Sequence, residues 1–250
     1  MSSSSSVGRT LFQGIVVVAS ILFAFGANAW WVDRTTEIES LELVLRDLGD
    51  TTEQLQSFSR YSAGAGASAL AAYGALSQRA PYDKNAIRSN LLRVNRGTLQ
   101  LPMAGYHDLI NSGDLKTIGN SNLRDALVGF YESAERRQAI IENNNSVYID
   151  GQLVPALIEK GLILPHFNGN VGIDSSNQAN GAINNQLGAS FSHRPDPIWN
   201  FPIDSREWRT LRSTLLTSAQ VHAVGENFAN EMILEAQRLE DAIVIYLNER

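Results

Sequence analysis

Cysteine is absent from this 250-residue chain, which excludes disulfides, thiolate metal sites and cysteine nucleophiles. The absence suits an oxidising compartment without requiring one. Charge is also scarce, at 18% of residues against roughly 25% in an average soluble domain. The 20 basic residues are outnumbered by 26 acidic ones, giving a net charge of −6, and the basic residues nowhere form a run. Phosphate neutralisation needs a basic stripe, so no nucleic-acid partner is expected.

Signatures of catalysis are missing as well. The chain has four histidines, and they are scattered. His107 precedes Asp108 directly, and helical neighbours point to different faces, so the two form no dyad. Glu231 and Glu235 are four apart, but no Glu-x-x-His spacing accompanies them. Gly169-Asn170-Val171-Gly172 lacks the strand and helix that a phosphate loop needs, and no serine has a G-x-S-x-G setting. The carboxylate pairs Asp47/Asp50 and Glu240/Asp241 read as solvated helix faces. No catalytic residue, cofactor or metal ligand is assigned. His222, on the apolar stripe of the last helix, reads as a hydrogen-bonded core histidine. The alternative is an enzyme whose site joins His222 to nearby carboxylates between helices.

What the chain does have is one long uncharged apolar run over residues 11–31. About twenty helical residues rising 1.5 Å each cover a hydrocarbon core of about 30 Å. Trp30 and Trp31 fall where an aromatic belt lies, and Asp33 and Arg34 end the run. A rival reading makes Arg9 an n-region and Ala27-Asn28-Ala29 a signal-peptidase site. A lone Arg after a serine-rich start is a weak n-region, and a Trp pair suits an interface better than a mature N-terminus. Residues 11–31 are therefore read as an uncleaved transmembrane helix behind a short tail, residues 1–10. Arg9 on one side against Arg34 and Arg46 on the other leaves the orientation open to charge counting. A cytoplasmic tail with an exported domain is the preferred arrangement.

Residues 32–164 read as the first part of a helical domain. Ile38, Leu41, Leu45, Leu48, Leu55 and Phe58 step by threes and fours, with Thr52 filling the missing place. No Pro or Gly intervenes between the anchor and Gly49, so this helix can continue from it. A tract of small residues over 62–80 suits close helix–helix approach and is too poor in large apolar residues for a second span. Pro81 breaks the pattern, and residues 85–96 read as a short helix with Ile87, Leu91, Leu92 and Val94 inward. Gly113 suits a helix C-terminus needing positive φ. Asn120 or Ser121 caps a helix over 123–144 that turns Leu123, Leu127, Phe130, Ala134 and Ile141 inward. Residues 153–160 form a brief helix closed by Gly161.

Residues 165–203 have loop composition, and Ile198, Trp199, Phe201 and Ile203 are expected to fasten the loop's end to the core. Residues 204–250 read as a long helix capped by Asp204 or Ser205. Its stripe of Leu211, Leu215, Ser218, His222, Gly225, Ala229, Met232, Ala236, Leu239, Ile243 and Tyr246 should pack on the same bundle. The fold class is all-α: a transmembrane helix leading into an antiparallel helical bundle with one long irregular loop.

Three elements of the chain together resemble a bacterial family of single-pass membrane proteins known as a domain of unknown function. They are Ala27-Asn28-Ala29-Trp30-Trp31 ending the apolar run, the tract Tyr106, Leu109, Ser112-Gly113-Asp114-Leu115, Leu123-Arg124, Phe130-Tyr131, and Asp204, Trp208-Arg209, Leu211 opening the last helix. The resemblance implies an uncleaved anchor and a helical domain, and it supplies no activity. Gly113, Arg124 and Trp208 are the fold-determining candidates, with Arg124 placed to meet a carboxylate or to cap carbonyls. The expected function is non-enzymatic binding, sensing or scaffolding at the inner membrane of a cell envelope. The expected partners are the lipid bilayer and either another envelope protein or a second copy.

Overall fold

The computed structural model describes residues 4–78, 83–162 and 197–249. The Asn/Gly-rich part of the 165–203 loop, with His166 and His193, lies outside the described residues, as does Pro81. The protein is all-α, and no strand occurs among the described residues. Helix α1 runs Ser4–Ser77, α2 Lys84–Leu91, α3 Ala104–Asn111, α4 Ser121–Asn144, α5 Val154–Glu159 and α6 Arg206–Asn248.

Helix α1 is 74 residues long and contains no proline, so nothing removes a backbone donor along it. Residues 62–77 of the small-residue tract belong to this same helix. Elsewhere local chemistry sets the boundaries. Asp83 caps α2 by accepting from the Asn85 and Ala86 amides, and Asn120 caps α4 by accepting from those of Asn122 and Leu123. Gly113 at φ 80° and Gly161 at φ 70° end α3 and α5 in the left-handed region that only glycine enters cheaply. Pro155 is the second residue of α5, which continues directly from the preceding helical turns.

The chain divides into two compact units. The first comprises residues 1–52, 101–134 and 234–250. Its core joins Leu41, Val44 and Leu48 of α1 to Tyr106 of α3, Tyr131 of α4, and Leu239 and Ile243 of α6. The Tyr106 and Tyr131 rings stack at 4.2 Å. Buried acids tie α1 to its neighbours. Glu37 accepts from the Gly119 amide at 3.2 Å and from the Tyr246 hydroxyl, and Asp47 accepts from the Gly105 amide at 2.6 Å. A Cβ on Gly105 would stand 3.0 Å from Leu43 Cγ, so glycine is what lets the start of α3 lie against α1. Arg124 donates through Nη1 to the Ile118 carbonyl at 2.7 Å, bracing the turn that leads into α4.

The second unit comprises residues 53–100 and 135–233. Here α1 and α6 are antiparallel, for Ser59 bonds to Asn230 while Arg212 reaches the Leu76 carbonyl. Its core gathers Ala69, Ala72 and Leu76 around Leu91, Ile149, Leu157, Ile198, Trp208 and Leu215. The tract of small residues is used only in part: Ala65, Gly66, Ala69 and Ala72 are buried, while Gly64, Ala67 and Ala71 are exposed. Every residue of the α6 stripe read from the sequence is buried.

Four sequence expectations need correction. On α1 the buried line is Glu37, Val44 and Thr51 rather than Ile38, Leu45 and Thr52, which are only half-buried. Both lines keep the four-and-three rhythm, and hydrogen bonds to Glu37 make its burial affordable. Asp47 is likewise a buried acceptor and not part of a solvated pair; its neighbour Asp50 is exposed. Leu92 is 53% exposed because α2 ends at Leu91, while Val94 is buried from the extended chain beyond it. Phe201 is 44% exposed and contributes its carbonyl, which accepts from Trp208 Nε1 at 3.2 Å. The sequence also gave no hint of the π-helical turns Asn145–Leu153 between α4 and α5.

Candidate functional site

The most unusual place among the described residues is polar and lies inside the second unit. Halfway along the α6 stripe large apolar residues give way to Ser218, His222 and Gly225. Opposite stand Phe58 and Ser62 of α1. The end of α4 and the first π-turn bring Ile141, Asn144 and Asn145, and the extended segment after α2 brings Gly97. With Val221, all of these except Ser218 line a cavity of about 10 Å³, room for one water-sized molecule.

Each side chain is held there by a traceable cause. The wider π-helical turn carries Asn145 into the interior, where its Nδ2 donates to the Gly97 carbonyl at 2.7 Å. A Cβ on Gly97 would fall 2.8 Å from Tyr61 Cε1, so this strand of chain passes only as glycine. The Tyr61 hydroxyl donates to the Asn95 carbonyl at 2.9 Å, and its ring meets His222 edge-on at 6.2 Å. Burial pushes the Tyr61 phenol above its ordinary value. On the outside Arg96 pairs with Glu142 and Asp150, fixing the same segment.

His222 is 3% exposed, and among the described residues nothing pairs with its Nε2, nor with Ser62 Oγ or Ser218 Oγ. The sequence reading placed His222 in the core, and it is buried there. Burial lowers the His222 pKa to about 4. Charging the imidazole there would cost solvation that no neighbour replaces. Among the described residues no charged side chain lines the cavity. Among the described residues no group of three His, Asp or Glu could hold a metal ion.

The low pKa makes stability pH-dependent. Unfolded His222 binds a proton below about 6.5 and the folded form only below about 4, so stability present above 6.5 falls as pH drops between those values. From about pH 7.5 to about pH 5 the expected loss from this residue is about 2 kcal/mol. Tyr61, whose ring meets His222 edge-on, has its pKa raised and stays neutral throughout this range. Carboxylates elsewhere also titrate, so the measurement is the difference between wild type and His222→Phe in denaturant unfolding at the two pH values. Parallel pH profiles would refute the prediction.

The other sequence candidates lie elsewhere. Trp30 and Trp31 are 65% and 66% exposed at the end of the apolar band, with ring centroids 6.5 Å apart. Gly113 and Arg124 belong to the turns of the first unit, and Trp208 to the core of the second. The cavity itself was illegible in sequence apart from the polar interruption of the α6 stripe. Compared with protein-family models, curated proteins and solved structures, the chain matches none.

Proposed function

We propose that this chain is a single-pass, membrane-anchored helical module that serves binding, sensing or scaffolding at the inner membrane of a cell envelope. The observation that carries this reading is the apolar band of α1. The helix is long and apolar enough to cross a bilayer, its most apolar stretch has a mean hydropathy of 2.0, and none of that stretch is buried in the protein. A core helix of this composition would be covered. Leu22, Phe23 and Phe25 are instead 65%, 79% and 70% exposed. The hydroxyl of Ser20 returns to the Val16 carbonyl at 2.8 Å, the local pairing a hydroxyl needs in hydrocarbon.

The module reading is supported by the helical units that follow the apolar band; among the described residues no carboxylate lines the cavity beside His222. Its partners on this reading are the bilayer and either another envelope protein or a second copy. The test is the full chain with a C-terminal phosphatase fusion, extracted with alkaline carbonate and weighed intact. Retention in the membrane, an unprocessed N-terminus and an active phosphatase are expected. A mature start at Trp30 would replace the anchor by a signal peptide, and an inactive phosphatase would reverse the orientation.

A further inference from the structure

We propose that the cavity beside His222 is a binding site for a single internal water molecule, held between His222 Nε2 and Ser62 Oγ. Both atoms are buried and neither has a partner among the described residues, an arrangement native proteins rarely leave unsatisfied. They line one cavity, and its volume of about 10 Å³ is room for one water-sized molecule. The chemistry selects water over other small occupants. An apolar gas would leave both polar atoms unpaired. A cation would meet no carboxylate in the lining. The imidazole is neutral, with its pKa lowered to about 4, so an anion would find no positive charge either. Water both donates and accepts, so it satisfies Nε2 in either imidazole tautomer while also pairing with the serine hydroxyl. Asn145 borders the same cavity and adds to its polar wall.

The site also fixes alignment. If α1 slipped by one heptad against α6, Leu55 or Ala69 would take the place of Ser62 opposite His222. Neither could hold the water. The hydrated pair is thus a register key for the second unit, in the manner of single buried polar residues in coiled coils. This inference is independent of the membrane reading.

The experiment is water–protein cross-relaxation by NMR on the full chain in detergent micelles with selectively labelled histidine. A cross-peak from a long-lived water to the His222 ring is expected in the wild type. It should vanish in Ser62→Val, where the added methyl fills the cavity and removes the hydroxyl. Absence of the wild-type cross-peak would overturn the proposal whatever the variant does. So would a cross-peak that persists unchanged in a folded Ser62→Val protein.

Discussion

Replacing Val18 and Leu22 together with arginine is expected to release the chain from the membrane without unfolding its helical units. Both residues lie on the exposed band, 57% and 65% accessible, so neither contributes to a packed core. On the insertion scale an arginine at mid-membrane costs roughly 2.5–3.5 kcal/mol, and losing Val or Leu forfeits about a further 0.3–0.6 each. The pair therefore costs roughly 6–8 kcal/mol, which is about four to six decades in the insertion equilibrium. The chain should leave the carbonate-resistant pellet and keep its cooperative denaturant transition. Retention in the pellet would contradict the anchor reading. Loss of the transition would show instead that residues 15–32 pack on something in the folded protein.

The second large effect belongs to Trp208. It heads the set of large, fully buried side chains, with 1% exposure. Its ring lies 5.3 Å from that of Trp199, and its Nε1 donates to the Phe201 carbonyl at 3.2 Å. Trp208→Ala should destabilise the second unit by about 3–5 kcal/mol, through lost transfer energy and the cavity left behind. The hydrogen bond adds little to this, because the exposed Phe201 can turn its carbonyl to water. Denaturant unfolding followed by near-ultraviolet circular dichroism reads the change. Trp30→Ala is the control, since that ring is 65% exposed and should leave folding stability within about 0.5 kcal/mol. Equal effects from the two tryptophans would refute the assignment of one to a core and the other to an interface.

The contrast between these tryptophans also shows what can be read without coordinates. Trp30 follows an uncharged run, and Trp208 opens a stripe of threes and fours, so each residue's neighbours in sequence reveal its role. The α6 stripe succeeds for the same reason, because helical periodicity is a local property. Caps are local too. Gly113, Asn120 and Gly161 end or begin helices with groups only a few residues away. Where the outcome depended on a distant partner, local reading failed. Nothing near Glu37 in sequence reveals that the Gly119 amide and the Tyr246 hydroxyl arrive to satisfy it. Asp47 waits in the same way for the Gly105 amide.

The candidate site is the extreme case. Ser62, Gly97, Asn145 and His222 carry no shared motif, and the segments between them are of unrelated composition. Only the crossing of α1, the extended chain after α2, the π-turns and α6 puts them around one cavity. By itself the sequence determined the all-α class, the apolar band and the helix ends marked by Gly113, Asn120 and Gly161, because hydrophobic period, length and capping are set within a few turns. The tertiary structure alone decided which line of α1 is buried, which acids are interior and why His222 has an unpaired nitrogen. Burial of a polar group depends on whether a partner reaches it, and that partner is chosen by the fold.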